Sequence, residues 1–343
     1  MKRFLILIVL VLAGCGESEK AVQETKEAVQ QTQDVFVQLE DSFTISEDEG
    51  ELLNNLKLIT DEQADIILAL YKTKLVLSDA NHVPLGLPLN GLNSITNHQA
   101  ETLGKVRYNP PKELWLCTLY LNGLTSINEE QAKGLSKAES LELNGLTSIT
   151  DQQAESLSRV EDLYLNGLTS ITDEQAESLS KVSWLELNGL TSITDQQAES
   201  LSKVEDLYLN GLTSITDQQA EYVSNRVVFA LNGLTSISNQ QAKILSKLVA
   251  LELNGLTSIT DEQAESLSKA ERLELNGLTS ITDEQAESLS KVKELYLNGL
   301  TSISDQQAES LSKVKGYLYL NGLTSITDEQ AESLSKVEYL YLN

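Results

Sequence analysis

The chain has 343 residues, with 51 acidic against 25 basic side chains and a formal net charge of −26. A surface this acidic repels nucleic-acid phosphates and anionic membrane faces, so we expect no nucleic-acid partner and interpret the charge as a solubility feature. The chain has only two cysteines and two histidines, too few for a disulfide framework or a His/Cys metal cage.

The amino terminus has the pattern of a secretion signal. Lys2 and Arg3 precede an unbroken apolar run over 4–12. As a helix this run spans about 14 Å, too short to cross a hydrocarbon core of ~30 Å. The pattern predicts a signal peptide over residues 1–14.

The apolar run ends in Leu-Ala-Gly-Cys at Cys15, which resembles the bacterial lipobox. The resemblance implies cleavage before Cys15 and acylation of that residue, hence a membrane anchor at the cell envelope. Gly16 rather than Asp follows, and in a Gram-negative host the resemblance then implies the outer membrane, on a face that stays open. The alternative is an ordinary secretory signal that contains a cysteine.

Residues 15–33 are polar and contain no proline or aromatic residue, which favours a tether. Val22, Val29 and Phe36 recur every seven residues, so a coiled coil is the alternative, although Thr25 and Thr32 weaken its seam.

The rest of the chain is one motif repeated. The tripeptide Leu-Asn-Gly recurs every 22 residues from Asn122 to Asn298, and the insertion of Gly316 makes the next step 23. We assign 113–343 to a regular 22-residue array. Residues 34–112 are assigned to degenerate repeats with insertions, which hold all four prolines.

Within one copy, the first half predicts a strand and a turn. Leu163 and Leu165 point inward on either side of an outward Tyr164, the alternation of a short strand. The following Asn166-Gly167 turns the chain, and we expect glycine there for its tolerance of unusual dihedral angles. The next apolar residues, Leu168 and Ile171, are predicted to point back inside.

The second half predicts a short helix with a capping box. Thr172 precedes Asp-Glu-Gln, so its hydroxyl can accept from the Gln175 amide while the Gln175 side chain reaches back. The two acidic residues suit the positive end of the helix dipole. Ala176, Leu179 and Val182 follow at helical spacing and are expected to close the core.

These residues resemble a leucine-rich repeat. Residues 160–165 fit the family's L-x-x-L-x-L, but Asn166 follows the strand directly and Leu168 takes the usual asparagine place. The run from Leu168 to Ile171 is more similar to the BspA (Treponema) variety. Over residues 53–343 the resemblance implies an α/β fold, a right-handed solenoid with a parallel sheet on the concave face and short helices on the convex face. The stacked asparagines are expected to form a ladder, because buried amides need partners.

The outward strand positions are the candidate binding site, since tyrosine and tryptophan offer large rigid contact areas. We expect a protein, peptide or glycan ligand, preferably one with positive charge. The alternative is that aromatic residues simply stack across the sheet. The candidate residues are Tyr120, Tyr164, Trp184, Tyr208, Tyr296, Tyr317, Tyr319, Tyr339, Tyr341, Glu142, Glu186, Glu252 and Glu274, and we expect the main contact at Tyr317, Tyr319, Tyr339 and Tyr341.

The sequence ends on a strand, residues 339–343, without a polar capping unit. An open edge predicts either fraying or end-to-end homo-association. This gives a second functional hypothesis, a structural envelope protein that assembles through this repeat. The near-identity of the copies favours it, or else a recent expansion by duplication.

Other activities find less support. Columns of threonine, beginning with Thr125, Thr147 and Thr169, permit ice binding, but turn hydrogen bonds explain them better. Helix capping explains the repeated Asp-Glu without Ca²⁺. We find no Ser-His-Asp set and no phosphate loop, and Cys117 is expected to be a small buried residue. The sequence therefore predicts a non-enzymatic lipoprotein scaffold without cofactor or metal.

Overall fold

The computed structural model describes residues 53–77, 86–106, 117–224 and 228–342. The predicted signal peptide, Cys15 and the tether lie outside the described residues. The chain divides into two compact units: unit 1 runs to Leu146 and includes Arg159–Glu161, and unit 2 comprises Thr147–Ser158 and the chain from Asp162.

Unit 1 alternates helices and three-residue strands. Its strands pair in parallel, β1 with β2 and β2 with β3, each residue opposite its counterpart. The elements are α1 (Asp61–Leu77), β1 (Gly86–Pro88), α2 (Asn97–Leu103), β2 (Thr118–Tyr120), α3 (Glu129–Leu135) and β3 (Ser140–Glu142).

Unit 2 continues the alternation with seven-residue helices. Its nine described strands pair in parallel in chain order, so that Leu163 faces Leu185 and Leu185 faces Leu207. The elements are α4 (Asp151–Leu157), β4 (Asp162–Tyr164), α5 (Asp173–Leu179), β5 (Trp184–Glu186), α6 (Asp195–Leu201), β6 (Asp206–Tyr208), α7 (Asp217–Val223), β7 (Val228–Ala230), α8 (Asn239–Leu245), β8 (Ala250–Glu252), α9 (Asp261–Leu267), β9 (Arg272–Glu274), α10 (Asp283–Leu289), β10 (Glu294–Tyr296), α11 (Asp305–Leu311), β11 (Tyr317–Tyr319), α12 (Asp328–Leu334) and β12 (Tyr339–Tyr341).

The predicted fold class is confirmed: the chain is an α/β repeat solenoid. The strands begin one residue earlier than predicted, at Asp162 instead of Leu163, but the inward and outward faces are as expected. Leu163 and Leu165 are fully buried while Tyr164 is half-buried.

The core consists of the same side chains from each copy. Leu168, Ala176, Leu179 and Val182 are buried as predicted. Ile171 is only half-buried, so its predicted inward position is correct in part. It lies at the margin because it directly precedes the helix cap, where the backbone leaves the core.

The capping boxes are confirmed, and the structure adds a contact between copies. Thr194 Oγ1 accepts from Gln197 N at 3.1 Å, and Thr194 N donates to Gln197 Oε1 at 2.9 Å. The remaining donor of this glutamine, Nε2, reaches the Ile171 carbonyl of the preceding copy at 2.9 Å. The side chain of Gln197 is buried, and it therefore joins its own helix to the previous turn.

The helix caps form a second link between copies. The Thr194 hydroxyl donates to Asp173 Oδ1 at 3.1 Å, and Thr216 likewise donates to Asp195 at 3.2 Å. Asp173 thus has two roles, because it also lies at the positive end of its own helix.

The expected asparagine ladder is present. Asn254 Oδ1 accepts from the backbone N–H of Asn276 at 2.9 Å, and Asn276 Oδ1 accepts from Asn298 N at the same distance. Each amide oxygen therefore satisfies a backbone donor in the next copy, where the strand has just ended.

The turn glycines have a different role from the one predicted. None of Gly189, Gly211 and Gly255 has a φ angle in the left-handed region, so dihedral freedom is the wrong reason at these positions. A Cβ atom on Gly255 would lie 2.3 Å from the Asn232 carbonyl oxygen and 2.6 Å from that of Leu234. Glycine is needed because the backbones of consecutive turns approach too closely for a side chain.

Candidate ligand-binding face

The candidate site is the sheet face of unit 2, by which we mean the outward side chains at the first and third positions of strands β4–β12. Strand alternation places the leucine between them in the core and both neighbours outside. The predicted residues in this unit all lie on this face: Trp184, Tyr317 and Tyr339 at first positions, and Tyr164, Glu186, Tyr208, Glu252, Glu274, Tyr296, Tyr319 and Tyr341 at third positions.

Tyr120 and Glu142 occupy the equivalent positions in unit 1. The ring of Tyr120 covers Gly86, where an added Cβ would lie 2.3 Å from the ring. Burial raises the pKa of the Tyr120 hydroxyl. Beside it, Thr118 and Ser140 share a hydrogen bond of 2.9 Å.

The outward glutamates are held by ladder asparagines. Glu186 Oε2 accepts from the Nδ2 groups of Asn166 at 3.0 Å and of Asn188 at 3.2 Å. The same atom of Glu252 accepts from Asn232 at 3.1 Å. This contact fixes one carboxylate oxygen of each glutamate. The sequence shows an asparagine and a glutamate close together in the repeat, but it does not predict the geometry of their hydrogen bond.

Arg272 is the one basic side chain among the described outward positions of unit 2. Its Nη2 atom donates to Glu274 Oε1 at 2.5 Å, and its guanidinium carbon lies 5.1 Å from the centroid of the Tyr296 ring. The bond to Glu274 raises the pKa of Arg272 against the opposing effect of burial. The guanidinium group of Arg272 is thus already in contact with Glu274 and Tyr296.

The tyrosine cluster comprises Tyr296, Tyr317, Tyr319, Tyr339 and Tyr341. Tyr319 lies between two nearly parallel rings, with centroids 4.0 Å away for Tyr296 and 4.3 Å for Tyr341. Tyr317 stacks on Tyr339 at 4.5 Å. A hydrogen bond with Tyr296 raises the pKa of Tyr319. Both faces of the Tyr319 ring are covered by other rings, so a ligand would meet its edge and hydroxyl group.

The last described strand is the most open part of this cluster. Tyr339 and Tyr341 are 45% and 42% exposed. Charge on Glu338 raises the pKa of Tyr339, and charge on Tyr319 raises that of Tyr341. End-to-end association through this strand stays a prediction, as does ligand contact by the cluster.

A second group, the acidic aromatic patch, comprises Trp184, Glu186, Asp206 and Tyr208. The strands β5 and β6 place Trp184 opposite Asp206 and Glu186 opposite Tyr208. The rings of Trp184 and Tyr208 stack diagonally, with centroids 4.7 Å apart and planes at 29°. Burial, then the charges of Asp206, Glu252 and Glu186, raises the pKa of Tyr208 to about 12.

The patch contains a carboxylate and a donor without partners among the described residues. Burial, reinforced by the charge of Glu205, raises the pKa of Asp206, and no described cation pairs with that carboxylate. Trp184 Nε1 is buried and has no acceptor among the described residues. Sequence reasoning selected Trp184, Glu186 and Tyr208 but did not select Asp206.

A polar cluster in unit 1 was not predicted. His98 Nε2 lies 3.2 Å from Asp65 Oδ2, and the Thr102 hydroxyl donates to Asp65 Oδ1 at 3.0 Å. Hydrogen bonds from Thr102 and then His98 lower the pKa of Asp65. His98 Nε2 also lies 3.5 Å from the Thr102 hydroxyl oxygen, so the three side chains form one cluster. We interpret the cluster as a contact between α1 and α2.

Cys117 is 3% exposed, which confirms it as a buried residue. Among the described residues, no group of three His, Cys, Asp or Glu side chains is placed to hold a metal ion. Over the same part of the chain, no helix combines the length and apolar character needed to span a membrane.

Two solved structures are similar in fold to this chain. One is an internalin (inlF) from Listeria monocytogenes, with 14% sequence identity and a TM-score of 0.47 over 84% of this chain and 96% of that chain. The other is the leucine-rich repeat-containing protein LegL7 from Legionella pneumophila, with 17% identity and a TM-score of 0.47 over 64% and 89%. No protein-family model and no curated protein matches the sequence.

Proposed function

We propose that the chain is a lipid-anchored interaction module of the bacterial cell envelope. It binds a protein, peptide or glycan through the sheet face of unit 2 and has no catalytic role. The proposal is supported by one contrast within the array: the residues that join the copies are constant, whereas the outward strand residues vary.

The constant residues are fixed by contacts with the next copy. Asn and Gln of each repeat bond across the copies, and the turn glycine has no room for a side chain. The first outward position instead reads Asp, Trp, Asp, Val, Ala and Arg along β4–β9. Variation at this outward position leaves the constant contacts between copies in place. It gives the sheet face a different composition at each strand.

The helix side of unit 2 varies less. The exposed helix glutamates, such as Glu155, Glu177 and Glu199, repeat at the same position in most copies, with Lys243 in that place in α8. A largely repeated acidic surface suits solvation better than recognition of one partner.

Site-directed photo-crosslinking in living cells tests the proposed face. We expect a photoreactive residue at Tyr164 or Tyr208 to trap a discrete partner, because these side chains lie outward on the strands. The matched position on the helix side, Glu177, should trap none. Crosslinks that form equally from Glu177 would contradict the sheet face as the binding surface.

The anchor is tested by fractionation and by labelling with a clickable fatty acid. Replacing Cys15 with serine removes the sulfur that would carry the lipid, so the chain should leave the membrane fraction and lose the label. Cys117→Ala is the control, since this residue is buried beside β2 and should leave both readouts unchanged. A Cys15→Ser chain that stays labelled in the membrane pellet would exclude the lipobox as the anchor.

A further inference from the structure

We propose that the acidic aromatic patch, Trp184, Glu186, Asp206 and Tyr208, binds a lysine- or arginine-bearing segment of a peptide or protein partner. This inference rests on the proposed function and specifies its ligand chemistry. The two observations that support it are carboxylates without a cation among the described residues and an aromatic pair beside them.

No described residue supplies a cation that pairs with the carboxylates of the patch. Asp206 has no described ion-pair partner, and burial with repulsion from Glu205 raises its pKa. Glu186 receives only neutral amide donors, from Asn166 and Asn188. The one basic residue of the face, Arg272, is bound to Glu274. A cation supplied by a ligand would therefore meet two carboxylates on adjacent strands.

The aromatic pair suits the same ligand. Tyr208 covers one side of the Trp184 ring at 4.7 Å. Asp162 lies opposite Trp184 on the neighbouring strand β4. An ammonium or guanidinium group is attracted both by aromatic rings and by carboxylates, and the patch combines the two.

Charge distinguishes a basic peptide from a neutral glycan. The basic side chains of a peptide supply a counter-charge to Asp206 and Glu186, whereas a neutral glycan leaves both carboxylates unpaired. Trp184 Nε1 is buried and lacks an acceptor among the described residues, so it is not a contact open to a ligand.

The tyrosine cluster is less suited to a basic ligand. Its rings cover one another, and Arg272 lies over its first ring at 5.1 Å. A basic ligand would meet ring edges and a like charge there, which disfavours cation–π contact. The charge pattern thus points to the opposite end of the sheet face from this cluster.

The intrinsic fluorescence of Trp184 provides the test. The chain has two tryptophans, so a Trp115→Phe background makes Trp184 the only emitter. In the full-length chain at low ionic strength, an oligolysine peptide should shift or quench this emission with saturation. The same peptide with every lysine Nε-acetylated should have no effect.

Two variants and a matched control locate the binding. Asp206→Asn is expected to weaken oligolysine binding by about tenfold, and Glu186→Gln by a smaller factor. Glu294→Gln is the matched control, because Glu294 is the first residue of strand β10 as Asp206 is of β6. It removes one charge and should change the affinity for oligolysine by less than about twofold. Asp206→Asn should fold as stably as its parent, since it removes an uncompensated carboxylate.

Each other result overturns the inference. If Glu294→Gln weakens binding as much as Asp206→Asn, the attraction is only the overall negative charge. If emission does not respond to oligolysine, the patch does not take basic peptides. In both cases a partner crosslinked from Tyr164 or Tyr208 would still support the proposed function.

Discussion

Replacing Gly255 with alanine is expected to lower the free energy of unfolding by about 3 kcal/mol. The added Cβ would lie 2.3 Å and 2.6 Å from two backbone oxygens of the preceding turn, in Asn232 and Leu234. Backbone atoms cannot move aside as a flexible side chain would. The two copies must therefore separate, which stretches the asparagine ladder and opens the core between them.

Urea unfolding measures this effect, and hydrogen exchange locates it. Exchange should accelerate chiefly in β7 and β8, because each repeat contacts only its neighbours. Ser258→Ala is the control, since this exposed residue follows in the same turn and its loss should cost under about 0.5 kcal/mol. If Gly255→Ala unfolds at the parental urea concentration, close backbone approach is not what requires glycine.

The second large effect is expected from a nearly isosteric change, Gln197→Glu. The buried amide Nε2 donates to the Ile171 carbonyl at 2.9 Å, and a carboxylate would place a negative oxygen there. We expect a loss of about 2 to 3 kcal/mol at neutral pH. The carboxylate can still accept from Thr194 N, so the capping contact is kept. The loss of stability would therefore measure the hydrogen bond to Ile171 of the preceding copy.

The pH dependence of the stability of Gln197→Glu gives an independent test. Burial beside a carbonyl oxygen would raise the pKa of the new carboxyl in the folded state above its unfolded value. Its protonated form can donate to Ile171, so stability lost at neutral pH should return as the pH falls through that pKa. Gln196→Glu is the matched control: this exposed neighbour is already glutamate in copies such as α5, and its effect should be close to zero. Equal losses at 196 and 197 would contradict the role of the Ile171 contact.

Much of the fold could be predicted because each element is encoded within one copy. The alternation around Leu163, the Thr172 capping box and the helical spacing of Ala176 and Leu179 depend on residues only a few positions apart. Their patterns therefore predict a strand, a cap and a buried helix face directly. Ile171 was predicted less well, since its burial depends on how far the turn lies from the core.

The candidate site was predictable only as a set of positions. Strand alternation identifies Trp184, Tyr208 and the tyrosines as outward residues. It gives no indication that the Tyr319 ring is covered on both faces, or that Arg272 is bound to Glu274. Those contacts depend on side-chain directions across neighbouring strands, which sequence spacing does not specify.

The sequence by itself determined the repeat period, the alternation of strand and helix, the capping boxes and the constant core. These follow from short-range patterns, and repetition confirms each pattern many times over. The tertiary structure decided why glycine follows the ladder asparagine, where the Gln197 side chain makes its second hydrogen bond, and which carboxylates on the sheet face lack a cation among the described residues. The physical reason is the same in each case: these properties depend on residues from different copies, such as the pairs 22 and 26 residues apart in the two hydrogen bonds, whose separation is set only when the copies stack.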